Sequence, residues 1–250
     1  MKIRNLIKKY GDTSVVDDVS LDIHRGKITS FIGPNGAGKS TIMHMISRLI
    51  PSDGGEILLD GKNLSHYKSK ELAKRLAILT QSNNLAMKLT VRELVSFGRF
   101  PYSGSKLTKQ DIDIVDDALL KMQLMEFEDR FLDELSGGQR QRAFIAMIIA
   151  QDTEFVLLDE PTNNLDIYHS IQMMKNIKFL STNLGKTVII VLHELNLAAF
   201  YSDYICAFKD GKLVKHAPTK EIITKENLAE IYNMDFEILD IHGKPLSIYF

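Results

Sequence analysis

The stretch Gly33-Pro34-Asn35-Gly36-Ala37-Gly38-Lys39-Ser40-Thr41 decides how the chain is read. The apolar run Ile28-Thr29-Ser30-Phe31-Ile32 precedes it, and the helix-like run Ile42-Met43-His44-Met45-Ile46 follows. Strand, glycine-rich turn and helix form the context in which G-x-x-x-x-G-K-[ST] becomes a phosphate-binding loop. Glycines let the backbone curl until several N–H groups face one anion. The helix that follows adds its unpaired N–H donors and the positive end of its dipole. Lys39 brings a full charge for the β and γ phosphates, and Ser40 a hydroxyl for Mg²⁺. A plain tight turn would match the four fixed positions in roughly one chain in a hundred of this length, and the flanking strand and helix make that rarer. The stretch predicts a nucleotide-binding protein.

Bulk properties narrow what the nucleotide serves. At 250 residues the chain suits one large domain, or a core carrying one inserted subdomain. A formal net charge of -1 lacks the basic excess of a dedicated nucleic-acid binder, so no nucleic-acid partner is expected. The single Cys206 has no internal partner for a disulfide and stands in an apolar run, which fits a reducing compartment. Met1-Lys2-Ile3-Arg4 leads into alternating residues and is not read as a leader peptide. The longest apolar stretches, residues 143–150 and 188–192, fall short of the roughly 20 residues of a membrane helix. Work at a membrane would need a partner to hold the chain there.

Hydrophobic periodicity gives an α/β order. Residues 1–32 alternate in short strands with turns at Tyr10-Gly11-Asp12 and His24-Arg25-Gly26-Lys27, the pattern of an antiparallel ribbon. Residues 56–60 and 76–79 read as strands, with a short helix over 69–75 between them. Residues 82–151 change character: helices are expected near 90–97, 111–122 and 137–151, with Pro101-Tyr102-Ser103-Gly104-Ser105 as a loop. Continuous apolar strands return at 155–158, 187–192 and 204–209, as in a parallel sheet buried on both faces. Asp210-Gly211 is a hairpin turn. Two short helices follow Pro218, and a terminal hairpin is expected to turn at Gly243-Lys244-Pro245. The domain reading is a core of residues 1–81 and 152–250 interrupted by a helical subdomain over 82–151.

Three further features carry chemistry. Phe155-Val156-Leu157-Leu158 crosses the sheet and delivers Asp159 and Glu160 at its carboxyl end, where open α/β sheets bind ligands. One acid beside the metal suits Mg²⁺, and the next can polarise the water that attacks the γ phosphate. Leu135-Ser136-Gly137-Gly138-Gln139 opens a helix; it reads as a second anion site, or as a helix capped by Ser136 and followed by two glycines. His193 ends another apolar strand, and reads either as a structural residue or as a γ-phosphate contact. Tyr10 likewise reads either as a base-stacking aromatic or as a turn residue packed on its ribbon.

In this order and spacing, residues 33–41, 135–139, 155–160 and His193 resemble the ATP-binding subunits of ABC transporters across essentially the whole chain. The resemblance implies a P-loop NTPase (RecA-like) core with an N-terminal antiparallel β subdomain and an inserted α-helical subdomain. It also implies a head-to-tail homodimer that sandwiches two ATP, with Ser136, Gly137, Gly138 and Gln139 of one copy closing over phosphates held by the other. By position, Tyr10 is then the adenine-stacking aromatic, and Gly33, Pro34, Asn35, Gly36, Ala37, Gly38, Lys39, Ser40 and Thr41 cradle the phosphates. Ser40, Gln81 and Asp159 face Mg²⁺, partly through water. Glu160 is the catalytic base, His193 the γ-phosphate switch, and Gln81 joins the core to the helical subdomain. Asn163-Asn164-Leu165-Asp166 stands where the dimer-contact loop often reads Ser-Ala-Leu-Asp.

A narrower resemblance concerns cargo. Val95-Ser96-Phe97-Gly98-Arg99-Phe100-Pro101-Tyr102 and the segment over 215–232 are similar to ATPases of iron–siderophore, haem and vitamin B12 importers. The implied assembly adds a multi-span permease dimer and, indirectly, a substrate-binding lipoprotein, with the ATPase at the cytoplasmic face of the membrane. Siderophore import fits best, the catecholate type favoured. A haem or vitamin B12 importer, or a non-transport scaffold of the iron–sulfur assembly kind, is the alternative.

Overall fold

Every residue of the run before the glycine-rich turn is buried, because the strand it forms lies inside a parallel sheet with neighbours on both edges. The computed structural model describes residues 1–80, 88–163 and 165–249. The chain opens with the antiparallel pair β1 (Lys2–Tyr10) and β2 (Thr13–Asp22), then enters β3 (Ile28–Ile32) and helix α1 (Lys39–Ile46). β4 (Gly54–Leu59) and β5 (Lys62–Asn63) return to the first pair, giving the sheet order β2-β1-β4-β5. The short α2 (Ser69–Leu72) and β6 (Leu76–Leu79) follow.

Between β6 and the next strand the described elements are helical: α3 (Val91–Phe97), α4 (Phe100–Ser103), α5 (Lys109–Lys121) and α6 (Gly137–Gln151), with two 3₁₀ turns. The α/β alternation then resumes with β7 (Phe155–Asp159), α7 (Ile167–Thr182), β8 (Thr187–Val191), α8 (Leu195–Tyr201), β9 (Tyr204–Lys209) and β10 (Lys212–Pro218). Helices α9 (Thr219–Ile222) and α10 (Lys225–Tyr232) lead to the hairpin β11 (Glu237–Ile241) and β12 (Lys244–Ile248).

The main sheet has the order β10-β9-β3-β8-β7-β6, parallel throughout except for β10. Period-two alternation sends its side chains to two different cores. Phe31, Phe155, Leu157, Ile189 and Phe208 meet α1 and the antiparallel sheet through Ile3, Leu6, Ile42 and Met43. Ile28, Ile32, Val156, Leu158, Val188 and Ile190 meet the helices on the opposite face, including Leu94, Ile145 and Ile177. Among the described residues no helix is long and apolar enough to cross a membrane.

Local chemistry sets the helix starts. Thr90, Thr108 and Ser136 each cap a helix while the residue three positions on, Glu93, Asp111 or Gln139, reaches back to the cap. Three boundaries differ from expectation. The stretch expected as a loop at Pro101 begins with the helical turn Phe100–Ser103, since proline in a first turn forfeits no hydrogen bond. The terminal hairpin turns at His242-Gly243, both left-handed, while Lys244 and Pro245 belong to β12, where a two-stranded sheet leaves a free edge for proline. The helix expected over 69–75 ends at Leu72, its remainder a turn.

The segment after α3 owes its residues to packing. Gly98 lies against α6 so closely that a Cβ would stand 2.4 Å from the Met147 carbonyl oxygen. Arg99, buried, pairs with buried Asp111 at 2.8 Å, donates to Ala150 O at 2.9 Å and covers the Tyr102 ring at 3.8 Å. Tyr102 donates to Gln151 O at 3.0 Å. Arg99 and Tyr102 thus clamp the segment after α3 onto α6, while Phe97 and Phe100 remain exposed.

Candidate functional site

Strands β3, β8 and β7 are consecutive neighbours and parallel, so the segments following Ile32, Val191 and Asp159 emerge at one edge of the sheet. Gly33 has φ 139°, and a Cβ there would lie 2.0 Å from the Phe208 carbonyl oxygen. Gly38 has φ 89°, and its Cβ would meet the Val15 carbonyl oxygen at 2.6 Å. Both obstacles are backbone, so neither position accepts a side chain. The loop therefore curls tightly between β2 and β9 before α1 begins at Lys39. Together with Val15, Glu160 and His193, residues 35–41 line a cleft of 150 Å³.

Lys39 is 5% exposed, and its Nζ donates to the carbonyl oxygens of Gly33 and Pro34, each at 2.8 Å. Burial lowers its pKa, opposed by the carboxylates of Glu160 and Asp159. The ammonium is thus bent back over its own loop, held by neutral acceptors that an anion can replace.

Ser40 Oγ donates to Asp159 Oδ1 at 3.0 Å, and His44, one helical turn on, places Nε2 3.3 Å from Asp159 Oδ2. Burial pushes the Asp159 carboxyl up, while the Ser40 hydroxyl and His44 pull the other way. A serine hydroxyl beside one carboxylate is a hard-oxygen donor set that fits Mg²⁺, which takes few protein ligands and keeps water and phosphate oxygens. Among the described residues no group of three His, Cys, Asp or Glu is arranged to hold a metal by itself.

Glu160 follows β7 with φ 51°, a left-handed conformation that costs a residue carrying a Cβ about 1 kcal/mol or more. Its Oε1 lies 2.6 Å from His193 Nε2, and its Oε2 accepts from Asn163 Nδ2 at 2.5 Å. Both carboxylate oxygens are engaged, each from a different segment of the same edge.

Ser136-Gly137-Gly138-Gln139 lies elsewhere. Ser136 Oγ accepts from Gln139 N at 3.3 Å, and Gln139 Oε1 accepts from Ser136 N at 2.9 Å. The capped-helix geometry is therefore present. Gly137 has open space where a Cβ would go, whereas Gly138 has the His169 ring at 2.5 Å. Ser136, Gly138 and Gln139 line a separate cleft of 480 Å³ with Arg142, Tyr168 and His169, sharing none of the residues around the phosphate loop.

Asp166 caps α7, its Oδ1 accepting from His169 N at 2.8 Å and meeting His169 Nδ1 at 2.9 Å. Tyr10, 54% exposed, ends the strand paired with the one carrying Val15, with Lys8 Nζ 5.5 Å from its ring. Gln81 and Asn164 lie outside the described residues.

Three contacts escaped the sequence reading. His44 was legible in principle, because it follows Ser40 by four residues and so shares its helix face. Asn163 was noted only as a departure from a loop pattern, not as a partner of Glu160. Tyr232, whose hydroxyl meets the Gly33 N–H at 3.0 Å, lies 199 residues away and gave no local signal.

A phosphate-type loop, two acids and a histidine on one edge of a RecA-like sheet, with a capped glycine pair on a helical insertion, define an ATP-binding cassette. The chain belongs to the ABC transporter family, whose sequence profile matches residues 16–163. It is 51% identical to the petrobactin import ATP-binding protein YclP of Bacillus subtilis (strain 168), over 100% of this chain and 99% of that protein. It is 40% identical to the ferric enterobactin transport ATP-binding protein FepC of Escherichia coli (strain K12), over 96% of this chain and 90% of that one. The dimeric structure of MJ0796, a bacterial ABC transporter cassette, superposes with a TM-score of 0.75 at 30% identity, over 87% of this chain and 98% of that chain.

Proposed function

We propose that this chain is the ATP-hydrolysing subunit of an importer for an iron–siderophore complex, the catecholate type favoured. The observation that carries the reading is the 51% identity, over the entire chain, to a petrobactin import ATP-binding protein. The ferric enterobactin relative points the same way. In this reading two copies pair head to tail and bind a multi-span permease dimer at the cytoplasmic face of the membrane, with a substrate-binding lipoprotein delivering cargo outside.

ATP phosphates enter the cleft of residues 33–41, and Lys39 exchanges the Gly33 and Pro34 carbonyls for phosphate oxygens. The adenine stacks on Tyr10. Ser40 and Asp159, with Gln81 as a further ligand, would hold Mg²⁺, and the ion when bound would neutralise phosphate charge. Glu160 accepts the proton of the attacking water, and His193 contacts the γ phosphate. The separation of the two clefts within one chain supports the pairing: Ser136–Gln139 faces the nucleotide of a second copy. Closure is favoured because ATP binds the closed dimer more tightly than the open one.

Deleting the gene and measuring siderophore-dependent growth and iron uptake under iron starvation tests the cargo. Both are expected to fail for the transported siderophore and to recover with the gene restored. Unchanged uptake would remove siderophore import as the function, and comparison of catecholate with hydroxamate siderophores decides the type.

A further inference from the structure

The first residue of the phosphate loop is held through both of its backbone polar groups. The Gly33 carbonyl accepts from Lys39 Nζ at 2.8 Å, and the Gly33 N–H donates to the phenol oxygen of Tyr232 at 3.0 Å. Tyr232 is the last residue of α10, and burial pushes its phenol up to about 12. Its ring packs on Phe236 with centroids 5.9 Å apart, and Phe236 packs on Tyr249 at 5.5 Å. Tyr249 directly follows β12.

The same hairpin is fixed to a second segment of the site. The Asn196 side chain donates to Ser247 O at 3.1 Å and accepts from Ser247 N at 2.8 Å, pairing with β12 as a neighbouring strand would. Lys244 reaches the Phe200 carbonyl oxygen at the other end of α8. Asn196 stands three residues after His193. The hairpin is therefore linked to the loop through the stacked rings that lead to Tyr232 on α10, and to the His193 segment through Asn196 on α8.

We propose that the C-terminal hairpin is a positioning element that sets the phosphate loop and the His193 segment relative to each other, with Tyr232 and Asn196 as its two arms. The proposal rests on the reading of residues 33–41 as the ATP loop. The Tyr232 hydroxyl acts on the loop, and its ring serves packing. Without the hydroxyl the Gly33 N–H loses its acceptor, and the loop spends less time in the nucleotide-ready geometry. A lower competent fraction raises the apparent Kd by the same factor.

The test titrates the purified full chain with a fluorescent ATP analogue, follows steady-state hydrolysis, and measures Tm for Tyr232→Phe, Tyr232→Ala, Asn196→Ala and Lys39→Ala. Tyr232→Phe is expected to raise Kd and KM about three- to tenfold, the range of one hydrogen bond, with kcat and Tm near those of the unaltered chain. Tyr232→Ala lowers Tm as well, and restoring the ring in Tyr232→Phe recovers Tm but not affinity. Asn196→Ala lowers kcat several-fold and leaves Kd within about twofold, since it acts on the His193 side. Wild-type affinity in Tyr232→Phe, or affinity recovered together with Tm, overturns the Tyr232 arm; wild-type kcat in Asn196→Ala overturns the Asn196 arm. Lys39→Ala separates the two levels. If it binds ATP normally, the loop reading itself fails; if it loses ATP while Tyr232→Phe does not, only the hairpin proposal fails.

Discussion

His193 Nε2 and Glu160 Oε1 meet at 2.6 Å across the ends of adjacent parallel strands. A carboxylate engaged in this way is oriented before substrate arrives, and each of its oxygens keeps a further lone pair to accept a proton from water. Glu160→Gln keeps the shape and the hydrogen-bonding reach of the side chain and removes its basicity. We expect it to retain ATP binding within about threefold and to lose at least about 100-fold in kcat, the scale of general-base catalysis. Size-exclusion chromatography with ATP is expected to show a dimer accumulating. Phosphate release near the normal rate would take the base role away from Glu160.

Asn163 supplies the other half of that orientation by donating to Glu160 Oε2 at 2.5 Å. Asn163→Ala is expected to lower kcat about fivefold with KM unmoved, because the contact bears on the base and not on the phosphate cleft. In the Glu160→Gln background the same change is expected to add nothing, since residues acting through one group are not additive. A fall in KM-dependent affinity, or a full multiplicative loss in the double variant, would place Asn163 outside the Glu160 pathway.

These two residues also show how far the sequence alone reaches. Glu160 was legible because four apolar residues followed by two acids announce a buried strand and its ligand-binding end. Asn163 was not, because its contact depends on how the chain turns after a left-handed Glu160, and no periodicity encodes that turn. The same divide runs through the fold. The buried strands at 155–158 and 187–192 emerge from uninterrupted apolar runs, and the capped helix at Ser136 from its cap and glutamine three residues on. The helical turn at Phe100 hides behind Pro101, which marks a first helical turn as readily as a loop. The Tyr232–Gly33 contact depends on strand order across 199 residues, which local pattern does not contain.

Arg99 and Asp111 form a buried pair at 2.8 Å, with side chains 7% and 5% exposed. Hydrogen bonds from the Thr108 hydroxyl and backbone, and then from Arg99, hold the Asp111 carboxyl well below the usual carboxylate range. A depressed carboxylate stabilises the fold fully above its unfolded value, about 4, and the contribution is lost as pH falls from there toward the native value. Urea unfolding is therefore expected to show stability falling steadily as the pH drops below about 4, with Asp111→Asn flattening that part of the profile. Arg99→Ala leaves the carboxylate buried without its cation and is expected to cost about 3 kcal/mol at neutral pH. An Asp111→Asn profile as steep as the parent's would assign the acid sensitivity to other carboxylates.

Gly138 and His169 are in contact across two helices, and the consequence is a prediction about closure. A Cβ on Gly138 would stand 2.5 Å from His169 Cδ2 and 3.0 Å from its Nε2. The obstacle is a side chain, so Gly138→Ala can be accommodated if the imidazole moves. Moving it breaks the 2.9 Å contact with Asp166, the residue that caps α7. Gly138→Ala is thus expected to reduce ATPase activity about tenfold, with unfolding stability lowered by about 1 kcal/mol. His169→Ala loses the same Asp166 contact without adding a Cβ, so it is expected to match the loss of Gly138→Ala, and Gly138→Ala/His169→Ala to lose no more than either single variant. Near-normal activity in His169→Ala would instead mean that Gly138 is needed bare for the approach of the second copy's nucleotide.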